Sequence, residues 1–170
     1  MAPAGIEGRM DAFRPARPDD LDGLLALQRA YYAEAGYPFE PARARAALAG
    51  LLADPTLGAV WLAEREGSPM AYAVLTLGYS LEYGGRDAFL DELYVAPAQR
   101  RRGLARAALV ALERGAAARG VRELHLEVER ELEGARALYR RAGFVDHDRA
   151  PMSKPVQPLA RTTLFRSAQR

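Results

Sequence analysis

The stretch from Asp91 to Arg106, DELYVAPAQRRRGLAR, leaves the backbone few choices. Phe89, Leu90, Leu93, Tyr94 and Val95 are apolar or aromatic, with Asp91 and Glu92 between them, and this reads as a strand. Pro97 ends it, because proline cannot donate to a sheet ladder. Arg100, Arg101 and Arg102 then make a cationic turn, Gly103 follows, and an alanine-rich helix begins. Strand, short cationic turn, glycine and helix together form the layout of an anion site. The first amides of a helix have no acceptor within it, and its dipole favours negative charge there. Gly103 lets a ligand approach the backbone, since no Cβ intervenes. The guest that fits this layout is a pyrophosphate. Arginine runs are also common on solvated surfaces, so the stretch alone leaves both readings open.

The flanking sequence supplies the rest of a fold. Phe13 to Ala16 can form a first strand. Pro18, Asp19 and Asp20 then start a helix whose stripe is Leu21, Leu24, Leu25 and Leu27, and Gly36 and Pro38 end it. Pro41 opens a second helix carrying Leu48, Leu51 and Leu52. Ala59–Glu64 and Met70–Tyr79 read as a hairpin around Glu66-Gly67-Ser68, and Gly84-Gly85 turns the chain into the central strand. Leu104 to Arg119 reads as a helix, and Val121 to Val128 as a strand. A strand reached through a helix should lie parallel to its predecessor. Glu133 to Ala142 is a short helix, with Phe144–His147 and Met152–Lys154 as a closing hairpin. The class is α/β: a mixed, mostly antiparallel central sheet of six to seven strands flanked by about four helices.

A chain of 170 residues suits one domain, expected over 10–155. Ile6 to Arg9 spell a protease-cleavage tetrapeptide used in expression vectors, so residues 1–9 read as an engineered leader. Residues 156–170 have few apolar positions and read as a poorly ordered tail. Cysteine is absent, which excludes disulfides, thiolate zinc sites and a cysteine nucleophile. His125 and His147 are the only histidines, so a multi-histidine metal site is not expected. His125 reads as facing solvent or a neighbouring strand. No run approaches the roughly 18 apolar residues of a membrane span, and no export leader is evident. A cytoplasmic protein without membrane contact is expected. Lys154 is the sole lysine among 24 basic residues, yet the net charge is only +2. That small surplus argues against a dedicated nucleic-acid binder.

Two motifs carry a resemblance. Arg100, Arg101, Arg102, Gly103, Leu104 and Ala105 match the pattern Arg/Gln-x-x-Gly-x-Gly/Ala, which marks the acetyl-coenzyme A loop of the GCN5-related N-acetyltransferases. ELYVAP before it resembles that family's fourth strand. ALYRRAGF, Ala137 to Phe144, resembles its second signature, in which a tyrosine sits on the helix before the last hairpin. The likeness spans about residues 12 to 155 in outline.

The resemblance implies acetyl transfer from acetyl-CoA directly to a primary amine, with no metal. Pyrophosphate would be held by Arg100, Arg101, Arg102, Gly103, Leu104, Ala105 and Arg106. Pantetheine would pair with the backbone of Leu93, Tyr94 and Val95 where two strands splay. Glu92 is the candidate base for an ammonium whose pKa is roughly 10, with Asp91 as its neighbour and rival. Strand alternation lets only one of the two face the cleft. Tyr139 is the candidate acid for the departing thiolate. Leu132 stands where the family often has asparagine, which puts one cofactor contact in doubt. Tyr31, Tyr32, Glu34, Phe39 and Glu82 could line an acceptor pocket, because carboxylates and aromatics together suit a cation. The acceptor is expected to be a small cationic amine, with a protein amino terminus or lysine as the alternative. An arginine-rich nucleic-acid module and an acyl-CoA sensor without turnover are the rivals from other classes. Many members of the family are dimers, but no motif here shows an interface.

Overall fold

A computed structural model describes residues 13–156; the expected leader and all of the expected tail but Val156 lie outside them. Five strands form one sheet in the order β1 (Phe13–Pro15), β2 (Gly58–Arg65), β3 (Ser68–Ser80), β4 (Gly85–Val95) and β5 (Glu123–Leu126). The first four pair antiparallel, and β4 and β5 pair parallel. Four helices join them: α1 (Leu21–Ala35), α2 (Pro41–Ala53), α3 (Leu104–Ala118) and α4 (Glu133–Arg141). The parallel pair is connected through α3, as a crossover requires.

The expected closing hairpin does not form. Among the described residues, 144–156 carry no regular structure, and the fifth strand is four residues long. The side chains account for this. Asp146 is drawn back onto α4 by Arg136 (3.1 Å) and Arg140 (2.7 Å), and Arg149 pairs with Glu82 (2.8 Å). Pro151 and Pro155 remove two ladder donors, and Val145 and Met152 find no core to cover.

Each face of the sheet buries its own apolar cluster. On one, Leu104, Ala108, Leu109 and Leu112 of α3 pack on Phe13, Trp61, Ala73 and Leu90. On the other, Leu24 and Leu27 of α1 and Leu48 of α2 pack on Val60, Leu62, Tyr72 and Tyr94. Alanines on α3 allow close approach to the sheet. The limit is reached at Gly115, where an added Cβ would fall on the Trp61 ring. A helix interior is ordinarily a poor place for glycine; here the indole needs the space.

The entry to α1 is fixed by charge. Asp20 accepts the Arg17 amide (2.6 Å) and a two-pronged bond from Arg14 (2.7 and 2.8 Å). The Arg14 guanidinium holds the Asp20 carboxyl down from 3.8 to about 2. A depressed carboxylate pKa adds stability above the unfolded value and loses it as pH falls through the folded one. Asp20→Asn should therefore cost about 1 kcal/mol at neutral pH, allowing for solvent screening. The difference from wild type should vanish between pH 4 and pH 2, as read by urea unfolding across that range.

Candidate active site

The central strand carries one residue too many. Val74 of β3 stands opposite Glu92, while its neighbour Leu75 stands opposite Leu90. Asp91 is therefore a bulge, and the alternation of β4 changes phase there. Before it, Ala88 and Leu90 face α3; after it, Leu93 and Val95 take that face, and Tyr94 turns to the α1 side. Glu92 is turned with Tyr94 and meets α1. The pairing of β4 with β5 stops at the same point, with Leu90 opposite Leu126 as the last pair. From Asp91 to Val95 the flank of β4 towards β5 has no strand beside it. A gap opens in the sheet, floored by strand backbone.

Glu92 sits beside that gap and is only 8% exposed. Gln28 Nε2 donates to both of its oxygens (3.0 and 3.1 Å), Tyr32 Oη to Oε1 (2.7 Å) and Tyr72 Oη to Oε2 (2.6 Å). All three donors are neutral, and among the described residues no cation pairs with this carboxylate. Burial, then the Glu92 charge, pushes the Tyr72 phenol far above its ordinary value. Burial and the bond to Glu92 do the same to Tyr32. Gln28 is itself buried, and its Oε1 has no hydrogen-bond partner among the described residues. Asp91 has an exposed outer edge, yet desolvation and then repulsion from Glu92 raise its carboxyl. Both carboxylates act on the Tyr32 phenol. The regular alternation expected of this strand does not hold at Asp91, where the bulge lies.

Aromatic rings wall the space around this cluster. Tyr31 lies against Tyr94 at 5.6 Å and meets Tyr32 (5.6 Å) and Tyr37 (6.1 Å) edge to face. Phe39 closes on Tyr32 at 5.8 Å. Burial, then the nearby Tyr37, pushes the Tyr31 phenol up to about 12. Tyr37 reaches across to Glu129, in the segment after β5, at 3.2 Å.

At the far end of β4 the chain makes a short 3-10 turn, Pro97–Gln99, and enters α3. Arg101 (φ 62°) and Gly103 (φ 84°) are both left-handed, so the backbone folds tightly just before the helix N-terminus. For Gly103 that conformation costs little; for Arg101 it is uncommon. The amides of Leu104, Ala105 and Arg106 begin the helix without intrahelical acceptors. Arg100 is already engaged. It donates to Val95 O (2.9 Å), pairs with Glu34 (2.6 Å) and lies 5.6 Å from the Tyr94 ring centroid. Arg100 in turn lowers the Glu34 carboxyl. Arg102 donates to Gln99 at 3.2 Å.

Tyr139, on α4, packs into the α3-side cluster and meets Phe144 edge to face at 5.8 Å. Burial raises its phenol, and it is close enough to Tyr31 to add to that residue's shift. The structure thus gathers Tyr31, Tyr32 and Phe39 around Glu92 and places Glu34 on Arg100. Glu82 stands apart, at the opposite end of β4, paired with Arg149. His125 lies beside Asp87 (3.5 Å) and Tyr83 (5.0 Å), near that same end. Leu132 is exposed at the start of α4. Gln28 and Tyr72 were not foreseen. Gln28 had a signal, since it continues the Leu24–Leu27 stripe as a polar residue on a buried face. Tyr72 had none, being one apolar-looking position in a long strand. Among the described residues no group of acidic or histidine side chains could hold a metal, and no helix is long and apolar enough to cross a membrane.

The model of the acetyltransferase (GNAT) family matches residues 22–144. An integron cassette protein from the mobile metagenome of Cole Harbour Salt Marsh is 35% identical, with a TM-score of 0.80 over 90% of this chain and 95% of its own. A GCN5-related N-acetyltransferase from Ralstonia eutropha is 27% identical, with a TM-score of 0.67 over 85% and 97%. An aminoglycoside N-acetyltransferase in complex with CoA shares the fold at 20% identity, with a TM-score of 0.72 over 84% and 93%. No curated protein sequence is significantly similar to the chain.

Proposed function

The chain belongs to the GNAT acetyltransferase family and is an acetyl-CoA-dependent N-acetyltransferase; on that footing we propose that its acceptor is a small cationic primary amine. One observation carries the proposal. Glu92 is a buried carboxylate bonded only to neutral groups, walled by tyrosines and placed where the sheet opens. Buried charges are normally paired, because desolvating a lone one costs several kcal/mol. An ammonium arriving in the groove supplies the missing opposite charge nearby, and the rings of Tyr31 and Tyr32 favour it further.

The rest of the chemistry follows from placement. The flank of Leu93, Tyr94 and Val95 that has no strand beside it is where an extended amide-bearing arm of the thioester can add as a strand would. An amide of the same edge stabilises the oxyanion, a contribution that is usually large. The helix-entry amides of Leu104, Ala105 and Arg106, with Arg101, Arg102 and Gly103, take the diphosphate. Arg100, held by Glu34, shapes this turn from behind. With no cysteine in the chain, the acetyl group cannot pass through a cysteinyl intermediate, which agrees with direct transfer to nitrogen. A phenol carries its proton at neutral pH, and burial raises that of Tyr139 further, so the proton is there for the leaving thiolate to take.

The test is thiol release from acetyl-CoA with a panel of di- and polyamines, neutral amines and short peptides with free amino termini. Cationic amines are expected to give the highest kcat/KM. Peptides outrunning them by tenfold would move the assignment to protein acetylation. Tyr139→Phe is expected to lower kcat about 10²-fold and leave KM for the amine within twofold, in steady-state kinetics with each substrate varied.

A further inference from the structure

The hydrogen bonds around Glu92 leave a difficulty for proton transfer. A carboxylate has about four lone-pair positions, and Gln28, Tyr32 and Tyr72 already fill four with bonds of 2.6 to 3.1 Å. An incoming ammonium cannot bond to Glu92 without displacing one of them. The three donors differ in access. Gln28 is buried and Tyr72 is fully buried under the sheet. Tyr32 is half-buried and belongs to the aromatic wall of the groove, in contact with Tyr31, Tyr37 and Phe39. Its hydroxyl gives its proton to Glu92 Oε1 at 2.7 Å, and among the described residues no donor is aimed at its oxygen. The lone pairs of Tyr32 Oη are the basic atoms that the groove presents.

We infer that Tyr32 is a catalytic proton relay between the acceptor amine and Glu92; this rests on the amine-acetyltransferase reading above. The ammonium N–H bond breaks and leaves its electron pair on nitrogen, and that proton bonds to Tyr32 Oη. In the same step the former Oη–H proton bonds to Glu92 Oε1. One proton moves in net terms from nitrogen to the carboxylate, and Tyr32 is neutral before and after. Neither a tyrosinate nor a protonated phenol accumulates, consistent with the strong bias of this site against phenol ionisation. Tyr72 offers an internal comparison: it makes an equally short bond to the same carboxylate at a place the amine cannot reach.

The experiment is a proton inventory in H2O–D2O mixtures, on kcat/KM for the best amine, with wild type, Tyr32→Phe and Tyr72→Phe. Wild type is expected to give a bowed plot, the mark of two protons in flight. Tyr32→Phe is expected to lose about 10²-fold in rate and to give a straight line. Tyr72→Phe is expected to lose less than about tenfold and keep the bow. A straight wild-type plot overturns the relay, whether or not the variants fold. So does Tyr32→Phe working within threefold of wild type or faster, which is what a direct base freed of one bond would do. Amine turnover with either result removes the relay alone. Wild-type protein that releases no thiol with any amine removes the acceptor reading, and the relay with it.

Discussion

Glu92→Gln should abolish most turnover while leaving the protein as stable as before, or more so. The expected loss in kcat/KM for the amine is about 10²–10⁴-fold, the usual worth of a positioned base. Stability should hold or rise by about 1 kcal/mol, because the change removes a buried charge with no cationic partner. The neighbourhood can adapt. The hydroxyls of Tyr32 and Tyr72 can rotate from donating to accepting. Gln28 can turn its amide over, so that the Oε1 now lacking a partner accepts from the new amide. Kinetics and urea unfolding on the same preparation check both halves. A variant losing more than about 3 kcal/mol would show that Glu92 is a structural anchor, and one retaining activity would show that it is not the base.

Gly115→Ala and Gly50→Ala should move stability in opposite directions. Each is a glycine within a helix, where alanine is worth about 1 kcal/mol by intrinsic preference. At Gly50 an added Cβ meets nothing within 4 Å, so the preference shows as a gain. At Gly115 the Cβ lands on Trp61 Cζ2 and lies 2.7 Å from Cη2. Trp61 is 5% exposed, and Arg119 lies 5.6 Å from its ring centroid, so the indole has nowhere to swing. Overpacking of this kind costs about 1–3 kcal/mol or more and overrides the helix preference. A net loss of about 2 kcal/mol is expected, or roughly a 6 °C fall in Tm. Calorimetry that found Gly115→Ala neutral would show that α3 can slide away from the sheet.

What was legible in the sequence was local. The strand, cationic turn and helix around Gly103 announce themselves because proline, glycine and alanine each restrict the backbone within a few residues. The order of elements followed from the same punctuation. The surroundings of Glu92 are not local: Gln28 and Tyr32 precede it by 64 and 60 residues, and only the packing of α1 on the sheet brings them together. The bulge at Asp91 was invisible because two adjacent acids fit either phase of a strand. The closing hairpin was expected from turn residues and a few apolar positions. Its charges have better partners on α4 and in the β3–β4 turn than a sheet edge offers.

The surplus residue in β4 makes pairing with β3 the sensitive variable at this point of the chain. Exchanging Asp91 for another amino acid alters one side chain. Drawing it into the ladder would move every later residue of the strand one place along β3. Glu92 and Tyr94 would then be driven into the oily layer beneath α3, while Leu93 and Val95 faced the tyrosines. The extra residue has to stay looped out of the ladder, or the reaction chamber turns inside out.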